Sequence, residues 1–364
     1  MLLKDFIATI EKDVPLQLQE SYDNSGLLVG DTDKEISSAL ICIDVTKEII
    51  NEAIENNCDL IISHHPVVFK PLNKFTGSDE VQRIVIEAIK KDIAIYSMHT
   101  NLDKINKGVS YALCEKLNLK NCRILLPDKK SLKKIITFVP SKHVDSVRRA
   151  MFDAGAGHIG NYDMCSFNIE GQGSFRALEG TNPYVGSKNK LHFEKEVRVE
   201  TIVPDFLVSR VVAEMKKAHP YEEVAFDIYP LDNDNEYVGL GMIGQLEAPV
   251  NNREFLLSLK EKLNCKLIRH SKLLDKKINK VAVCGGSGSN LISQAIKNNA
   301  DVFITADVKY HQFFETENKI IIADIGHYES EQFAKEIIYN IITKKIPNFA
   351  VRLSDINTNP INYL

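Results

Sequence analysis

The apolar run Leu60-Ile61-Ile62 ends in Ser63-His64-His65-Pro66. Adjacent residues inside a regular strand point to opposite faces, so two neighbouring imidazoles can serve one site only where the pleat is lost. Pro66 stops the strand and leaves both histidines where it opens into a loop. Alone, such a pair is most simply a surface feature. Its weight comes from two other strand ends: Asp103 follows the run Ile93 to Met98, and His327 and Glu331 follow the run Lys319 to Asp324. With a helix starting near His327, His327 and Glu331 are four apart and share one face. A solvated first turn that complements the helix dipole accounts for Glu329 better than for this His-Glu pair.

His64, His65, Asp103, His327 and Glu331 thus supply three imidazoles and two carboxylates from separate strand ends. Such a mixed N/O set suits Zn, Mn or Fe, and carboxylates bridge, so two divalent ions roughly 3.5 to 4 Å apart fit it. Bridged ions acidify water, and the hydroxide so formed attacks electrophilic carbon or phosphorus. His99 and Asp44, also at strand ends, are placed to orient it or to move protons.

The elements that must position these groups alternate. Ala39 to Ile43 reads as a buried strand ending at Asp44, Thr46 to Asn56 as a helix, and Leu60 to Ile62 as the next strand. Ser78 caps a helix with the stripe Val81, Ile84, Val85 and Ala88, and Ile93 to Met98 follows as a strand. This β-α-β-α-β order predicts right-handed crossovers and a mostly parallel sheet, in which ligands collect at the carboxyl ends of strands. The texture returns after Glu236, with strands at Lys280 to Cys284, Asp301 to Thr305 and Lys319 to Asp324, and a final helix through Phe333, Ile337 and Ile338. Gly285-Gly286-Ser287-Gly288-Ser289 opens one helix there; its amides offer an anion cradle, or the turn is simply tight. It is no Walker A loop, since no Gly-Lys-Ser/Thr follows.

The polar run Pro127 to Ser131 marks a change. Lys134 to Pro140 reads as a strand and His143 to Ala154 as a helix, then Cys165 to Ile169 and Phe175 to Leu178 as two strands of a meander. The pattern restarts with strand Val197 to Pro204, helix Phe206 to Ala218 and strand Val224 to Tyr229. Two such halves make a ferredoxin-like unit. His219 and Glu222 invite a metal assignment, but a loop junction explains them more simply.

Composition sets the outer limits. A chain of 364 residues with 44% hydrophobic and 26% charged residues is globular and long enough for roughly two or three domains. The net charge of -4 disfavours nucleic acid as the main ligand. Seven scattered cysteines without CxxC suggest neither a disulfide framework nor a thiolate zinc site. Lys4, Asp5, Glu11, Lys12 and Asp13 make the N-terminus an amphipathic helix and not a signal h-region, and no apolar segment approaches membrane-spanning length. A cytoplasmic protein is the expectation.

Six ordered motifs are similar to those of the Nif-three-like family, whose bacterial members are labelled GTP cyclohydrolase 1 type 2 homologues. They are Asp23-Asn24-Ser25-Gly26-Leu27-Leu28-Val29-Gly30, Ser63-His64-His65-Pro66, His99-Thr100-Asn101-Leu102-Asp103, Cys284 to Ser289, Asp307-Val308-Lys309-Tyr310-His311 and Gly326 to Glu331. The resemblance implies an α/β fold of mostly parallel sheets flanked by helices, in two halves, residues 1–130 and 235–364. Residues 131–234 resemble the PII/CutA-like insert of longer bacterial members. It implies two divalent ions on His64, His65, Asp103, His327 and Glu331 and a toroidal homohexamer; Gly285, Gly286, Ser287 and Gly288 of the glycine-rich turn, with His311, are the candidate substrate contacts. It leaves two readings: a metal-dependent hydrolase of nucleotides or phosphoesters, or a metal-binding regulatory or scaffold hexamer whose insert responds to small molecules. Tyr22 and Ala306 depart from the tryptophan and glycine the motifs carry there, and neither is a ligand.

Overall fold

Leu60, Ile61 and Ile62 are fully buried, but in opposite directions. Leu60 and Ile62 join a core with Ala39, Ile41, Ala94 and Tyr96, whereas Ile61 packs with Leu40, Cys42 and Ile95 on the other face of the same sheet. A sheet covered on both faces needs continuous apolar strands, which is why these runs do not alternate. The computed structural model describes residues 1–364, which divide into two compact units: Met1–Pro127 with Glu236–Leu364, and Asp128–Asn235.

The first unit holds two sheets. One runs in the order Gly26–Val29, Ala94–Ser97, Leu60–Ser63, Ser38–Cys42 and Ala350–Leu353. All neighbours are parallel except the antiparallel edge strand Gly26–Val29. The other centres on the parallel strands Ile278–Val283, Val302–Thr305 and Ile321–Asp324. It extends through Arg269–His270 on one side, and through Asp234–Val250 and the edge strand Lys120–Lys129 on the other. Again alternate residues feed two cores: Val302 and Ile304 into one, Phe303 into the other. Lys120–Lys129 includes residues read from sequence as a polar break. As an edge strand it needs burial on only part of its length, so its polar residues stay wetted.

Two local readings change. The helix Glu80–Lys90 is capped by Asp79, whose Oδ1 accepts from the Gln82 N–H at 2.9 Å, while Ser78 Oγ accepts from Gln82 Nε2. The C-terminal helical region is broken into His327–Glu331 and Ala334–Lys345. The break lets the first piece aim its side chains independently of the long helix packed on the sheet.

The second unit is one antiparallel sheet in the order Phe167–Arg176, Leu191–Pro204, Leu132–Pro140 and Phe226–Leu231. Its helices Val144–Asp153 and Val208–Ala218 bury Val147, Met151, Val211 and Met215 against Ile135, Val139, Val199 and Val203. The two short strands expected between Cys165 and Leu178 are one, because the ladder to Leu191–Pro204 continues through Gly171 and Gly173. His219 Nδ1 accepts from the Tyr221 N–H at 3.1 Å, so its Nε2 donates to the Phe138 carbonyl at 3.0 Å. Neither nitrogen is left for an ion. No helix of the protein is long and apolar enough to cross a membrane.

Candidate metal centre

The strand Leu60–Ser63 delivers His64 and His65 at its carboxyl end, where their amides still bond the Cys42 and Ile43 carbonyls at 3.2 and 2.9 Å. Ser63 Oγ donates to the His65 carbonyl at 2.7 Å and so fixes the bend that turns both rings to one side. Asp103 lies in the short helix Thr100–Lys104 after the adjoining strand. His327 and Glu331 bracket the helix His327–Glu331, which starts at Gly326, a residue with φ +96°. These five residues, separated by up to 267 positions, converge around the Glu331 carboxylate.

Glu331 Oε2 lies 2.9 Å from His65 Nε2 and 2.9 Å from His327 Nε2, and Glu331 Oε1 lies 3.7 Å from His64 Nε2. His64 Nε2 is 3.9 Å from Asp103 Oδ1, and both atoms are buried without any hydrogen-bond partner. Such orphaned atoms cost free energy unless something else fills their coordination. The donor atoms of His64, His65 and Glu331 all fall within 4.8 Å of one another, a group able to hold a metal ion.

The opposite ring nitrogens decide which atoms are free. His64 Nδ1 faces the Met98 carbonyl at 2.8 Å, His65 Nδ1 faces Asp44 Oδ1 at 2.7 Å, and His327 Nδ1 faces Asp307 Oδ2 at 2.6 Å. Each partner accepts, so each Nδ1 carries a proton and each Nε2 is aimed at the same small volume around Glu331, where a bound ion would take the place of any proton it carries. Metal-binding histidines are held in this way, by a carboxylate or carbonyl on the far nitrogen. The residues present therefore fit divalent cations.

Electrostatics agree with this arrangement. Burial would raise the Glu331 carboxyl, but His327, His64 and His65 overcome it and hold the group well below the usual carboxylate range. Burial pushes Asp103 up, to about 7, and the Glu331 charge adds to the rise against the pull of His64. Burial alone would lower His65 and His327, yet their carboxylate partners lift them to about 9 and about 11. Protons on these rings are the competitors that a bound ion must displace.

Around this centre, His99 lies beside His64 and His65, with ring centroids 5.5 Å from each, and its Nδ1 is 2.6 Å from Asp23 Oδ1. Asp44 holds His65 on one oxygen and accepts from Thr358 Oγ1 at 2.7 Å on the other. Asp23, Asp307 and Thr358 had no assigned role in the sequence reading. Asp307, just past the strand Val302–Thr305, was detectable by the same strand-end criterion that picked out Asp103.

The glycine-rich turn does different work from an anion cradle. The amides of Gly285, Gly286 and Gly288 donate to Ser110 Oγ, Ser330 Oγ and Thr305 Oγ1 at 3.3, 2.8 and 2.9 Å, so they are already used. The helix that follows, Ile292–Lys297, is short. What the turn supplies is room: a Cβ on Gly286, which has φ +59°, would collide with Glu331 Oε1. Ser287 lies in the same turn. His311 sits in the helical turn Tyr310–Thr316, where its ring contacts Tyr310 and Phe314.

A two-sheet α/β unit with a histidine-carboxylate cluster at its strand ends, interrupted in sequence by an α+β unit, is the class of protein defined here. The family model described as Duf34/NIF3 (NGG1p interacting factor 3) matches residues 1–360. The chain is 39% identical over 363 residues to the GTP cyclohydrolase 1 type 2 homolog of Halalkalibacterium halodurans, covering 98% of each protein. It is 37% identical over 367 residues to the Bacillus subtilis protein of the same name, covering 99% of this chain and 98% of that one. The crystal structure of a Bacillus cereus protein related to NIF3 matches with a TM-score of 0.88 at 38% identity, covering 100% of this chain and 99% of the other. The chain belongs to the Duf34/NIF3 family.

Proposed function

We propose that the protein is a dinuclear divalent-metal-dependent hydrolase of a nucleotide or phosphoester. The carrying observation is the pair of orphaned, buried atoms His64 Nε2 and Asp103 Oδ1 on one side of Glu331, with the Nε2 atoms of His65 and His327 on the other. His64 with Asp103, and His65 with His327, would hold the two ions, with Glu331 shared between them. Zn, Mn and Fe suit such imidazole and carboxylate donors. When bound, the ions supply Lewis acidity and lower the pKa of water. The chain's own residues do the rest. Asp44 and Asp307 keep His65 and His327 in the tautomer that presents Nε2. His99, braced by Asp23, stands beside the ligand rings to accept or return a proton.

The cyclohydrolase name of the relatives supports GTP as the first substrate to try. The test is elemental analysis of tag-free protein together with a screen for formate release from GTP and for hydrolysis of a nucleotide and phosphoester panel. His65→Ala is the control, and it should lose metal without losing fold. Unchanged metal content in that variant would sink the ligand assignment. Fully loaded wild type without any turnover would leave the second reading, a metal-binding regulatory or scaffold assembly, which a large cavity in the second unit favours.

In that unit the β-α-β-β-α-β order and the antiparallel sheet support a ferredoxin-like, PII/CutA-like domain at residues 131–234, inserted between the halves 1–130 and 235–364. A toroidal homohexamer, which rests on the family resemblance, and a cytoplasmic location, which rests on the charged amphipathic N-terminus and the lack of a membrane-spanning apolar segment, complete the proposal. Sedimentation at several concentrations tests the assembly.

A further inference from the structure

The last strand, Ala350–Leu353, lies parallel beside Ser38–Cys42, with Leu353 opposite Ile41. Parallel neighbours end on the same side of a sheet, so the chain that leaves Leu353 emerges where Asp44, His64 and His65 stand. Its first residues are anchored there. The Ser354 amide donates to the Ile41 carbonyl at 2.8 Å, and the buried Ser354 hydroxyl donates to Glu52 Oε2. The Asp355 amide donates to Glu52 Oε1 at 3.3 Å.

Beyond Ser354 the segment forms neither helix nor strand, yet its course is determined. Asn357 Oδ1 accepts from the Asn359 amide at 2.9 Å, and Asn359 Oδ1 accepts from the Ile361 amide at 3.0 Å. Pro360 disfavours helical backbone at Asn359. The consecutive side chains of Thr358 and Asn359 then grip two different partners. Thr358 Oγ1 donates to Asp44 Oδ2 at 2.7 Å, and Asn359 Nδ2 donates to Glu329 Oε1 at 3.0 Å.

Both partners stand directly behind ligands. Asp44 Oδ1 faces His65 Nδ1, so the Thr358 hydroxyl holds the carboxylate that holds His65. Glu329 is buried in the helix His327–Glu331, two residues from each ligand it carries, and at about 100° per residue that places it on the opposite side of the helix from them. Asn359 thus grips the back of the helix whose front presents His327 and Glu331. Without the Thr358 hydroxyl, Asp44, whose side chain is 36% exposed, can turn to water and leave the His65 Nδ1 proton without its acceptor. Without the Asn359 amide, a buried oxygen of Glu329 loses its donor and the short helix an anchor. We propose that Thr358 and Asn359 are positioning residues of the metal centre, giving it no ligand atom but fixing where His65 and the ligand helix stand. The inference rests on the reading of the site as a metal centre.

The test is zinc titration of the metal-stripped full chain against a competing chelator, well below the melting point of every variant. Thr358→Val, which keeps the shape and removes the hydroxyl, should bind zinc about tenfold more weakly, while Thr358→Ser, which restores the hydroxyl, should bind as wild type does. Should Thr358→Val not fold, Thr358→Ala carries the same expectation. In an Asp44→Asn background the Thr358→Val loss should nearly vanish, because it acts through Asp44, whereas Asn359→Ala should weaken zinc by a similar factor in both backgrounds. The proposal is overturned if Thr358→Val or Asn359→Ala lowers the melting point without changing zinc affinity, if Thr358→Ser is no better than Thr358→Val, or if the Thr358→Val loss is undiminished in Asp44→Asn. Wild type that takes up neither zinc nor manganese brings down the metal reading and the positioning role together. Wild type that binds zinc beside variants that bind it equally well brings down the positioning role alone.

Discussion

His65 Nδ1 lies 2.7 Å from Asp44 Oδ1 while its Nε2 lies 2.9 Å from Glu331 Oε2. One imidazole is thus held between two carboxylates, Asp44 behind it and Glu331 at the centre of the cluster. Replacing Asp44 by Asn keeps the shape but removes the charge that stabilises the Nδ1 proton. Carboxylates behind ligating histidines contribute roughly 10- to 100-fold in metal affinity. Asp44→Asn should therefore bind zinc or manganese more weakly by about that factor, and at neutral pH its metal-free form should melt lower than wild type, because the charged pair with His65 is lost. An unaltered dissociation constant would show that Asp44 does not act through His65.

The convergence of His64, His65, Asp103, His327 and Glu331 was legible in the sequence because its physical cause is local. An apolar run that stops at His, Asp or Glu marks a strand end, and parallel sheets gather their strand ends. The groups behind the ligands were less legible, for different reasons. Met98 holds His64 through a carbonyl, which has no residue signature. The amides of Gly285, Gly286 and Gly288 looked free because their acceptors, Ser110, Ser330 and Thr305, come from three distant segments. The strand Ala350–Leu353 was missed because an edge position leaves it half exposed, with Arg352 inside it.

Gly286 yields the second prediction. Its φ of +59° is a conformation an L side chain adopts at a cost of about 1 kcal/mol, and its Cβ would strike Glu331 Oε1. Gly286→Ala should lower stability and also displace the central carboxylate, so metal stoichiometry falls. At Gly288 a Cβ would instead meet Cys284 and Thr305 at 2.6 Å, away from the ligands. Gly288→Ala should destabilise the turn yet retain more metal than Gly286→Ala at equal temperature below the melting point of each. Equal metal loss in both would mean that the turn acts only through general stability.

Asp301 gives a pH dependence separate from the metal centre. Its Oδ2 accepts from the Asn279 and Lys280 amides at 2.9 and 2.8 Å, and Oδ1 lies 2.9 Å from Lys276 Nζ. Burial would raise this carboxyl, but the Lys280 and Asn279 amides and Lys276 outweigh it and hold it below its ordinary value. A depressed folded pKa gives stability that is complete above the unfolded value, near 3.9, and lost as the pH falls through the folded one. Asp301→Ala should cost about 2 kcal/mol at pH 7 in urea unfolding. That gap should narrow below about pH 4, where wild type loses the same contacts. A gap that stays constant into the acid range would remove the charge from the explanation.

Asp23 leads to the last prediction, since its side chain is fully buried and serves several donors at once. Oδ1 faces His99 Nδ1 at 2.6 Å and accepts from the Asn24 amide at 2.7 Å. Oδ2 accepts from the Thr100 amide at 3.0 Å, from Ser25 Oγ at 2.9 Å and from the Thr100 hydroxyl. Burial opposes ionisation here, but His99 and Thr100 overcome it and keep the carboxyl well below its usual range. Asp23→Ala strands all these donors and should cost about 3 kcal/mol or more. Asp23→Asn retains an acceptor but not the charge, so it should fold, keep its full metal content and leave His99 poorly oriented. If His99 moves protons in turnover, kcat on a confirmed substrate falls by about tenfold or more in Asp23→Asn while KM changes little. Should His99→Ala and Asp23→Asn both turn over at the wild-type rate with metal bound, His99 has no part in the chemistry and Asp23 is there only to hold the loop.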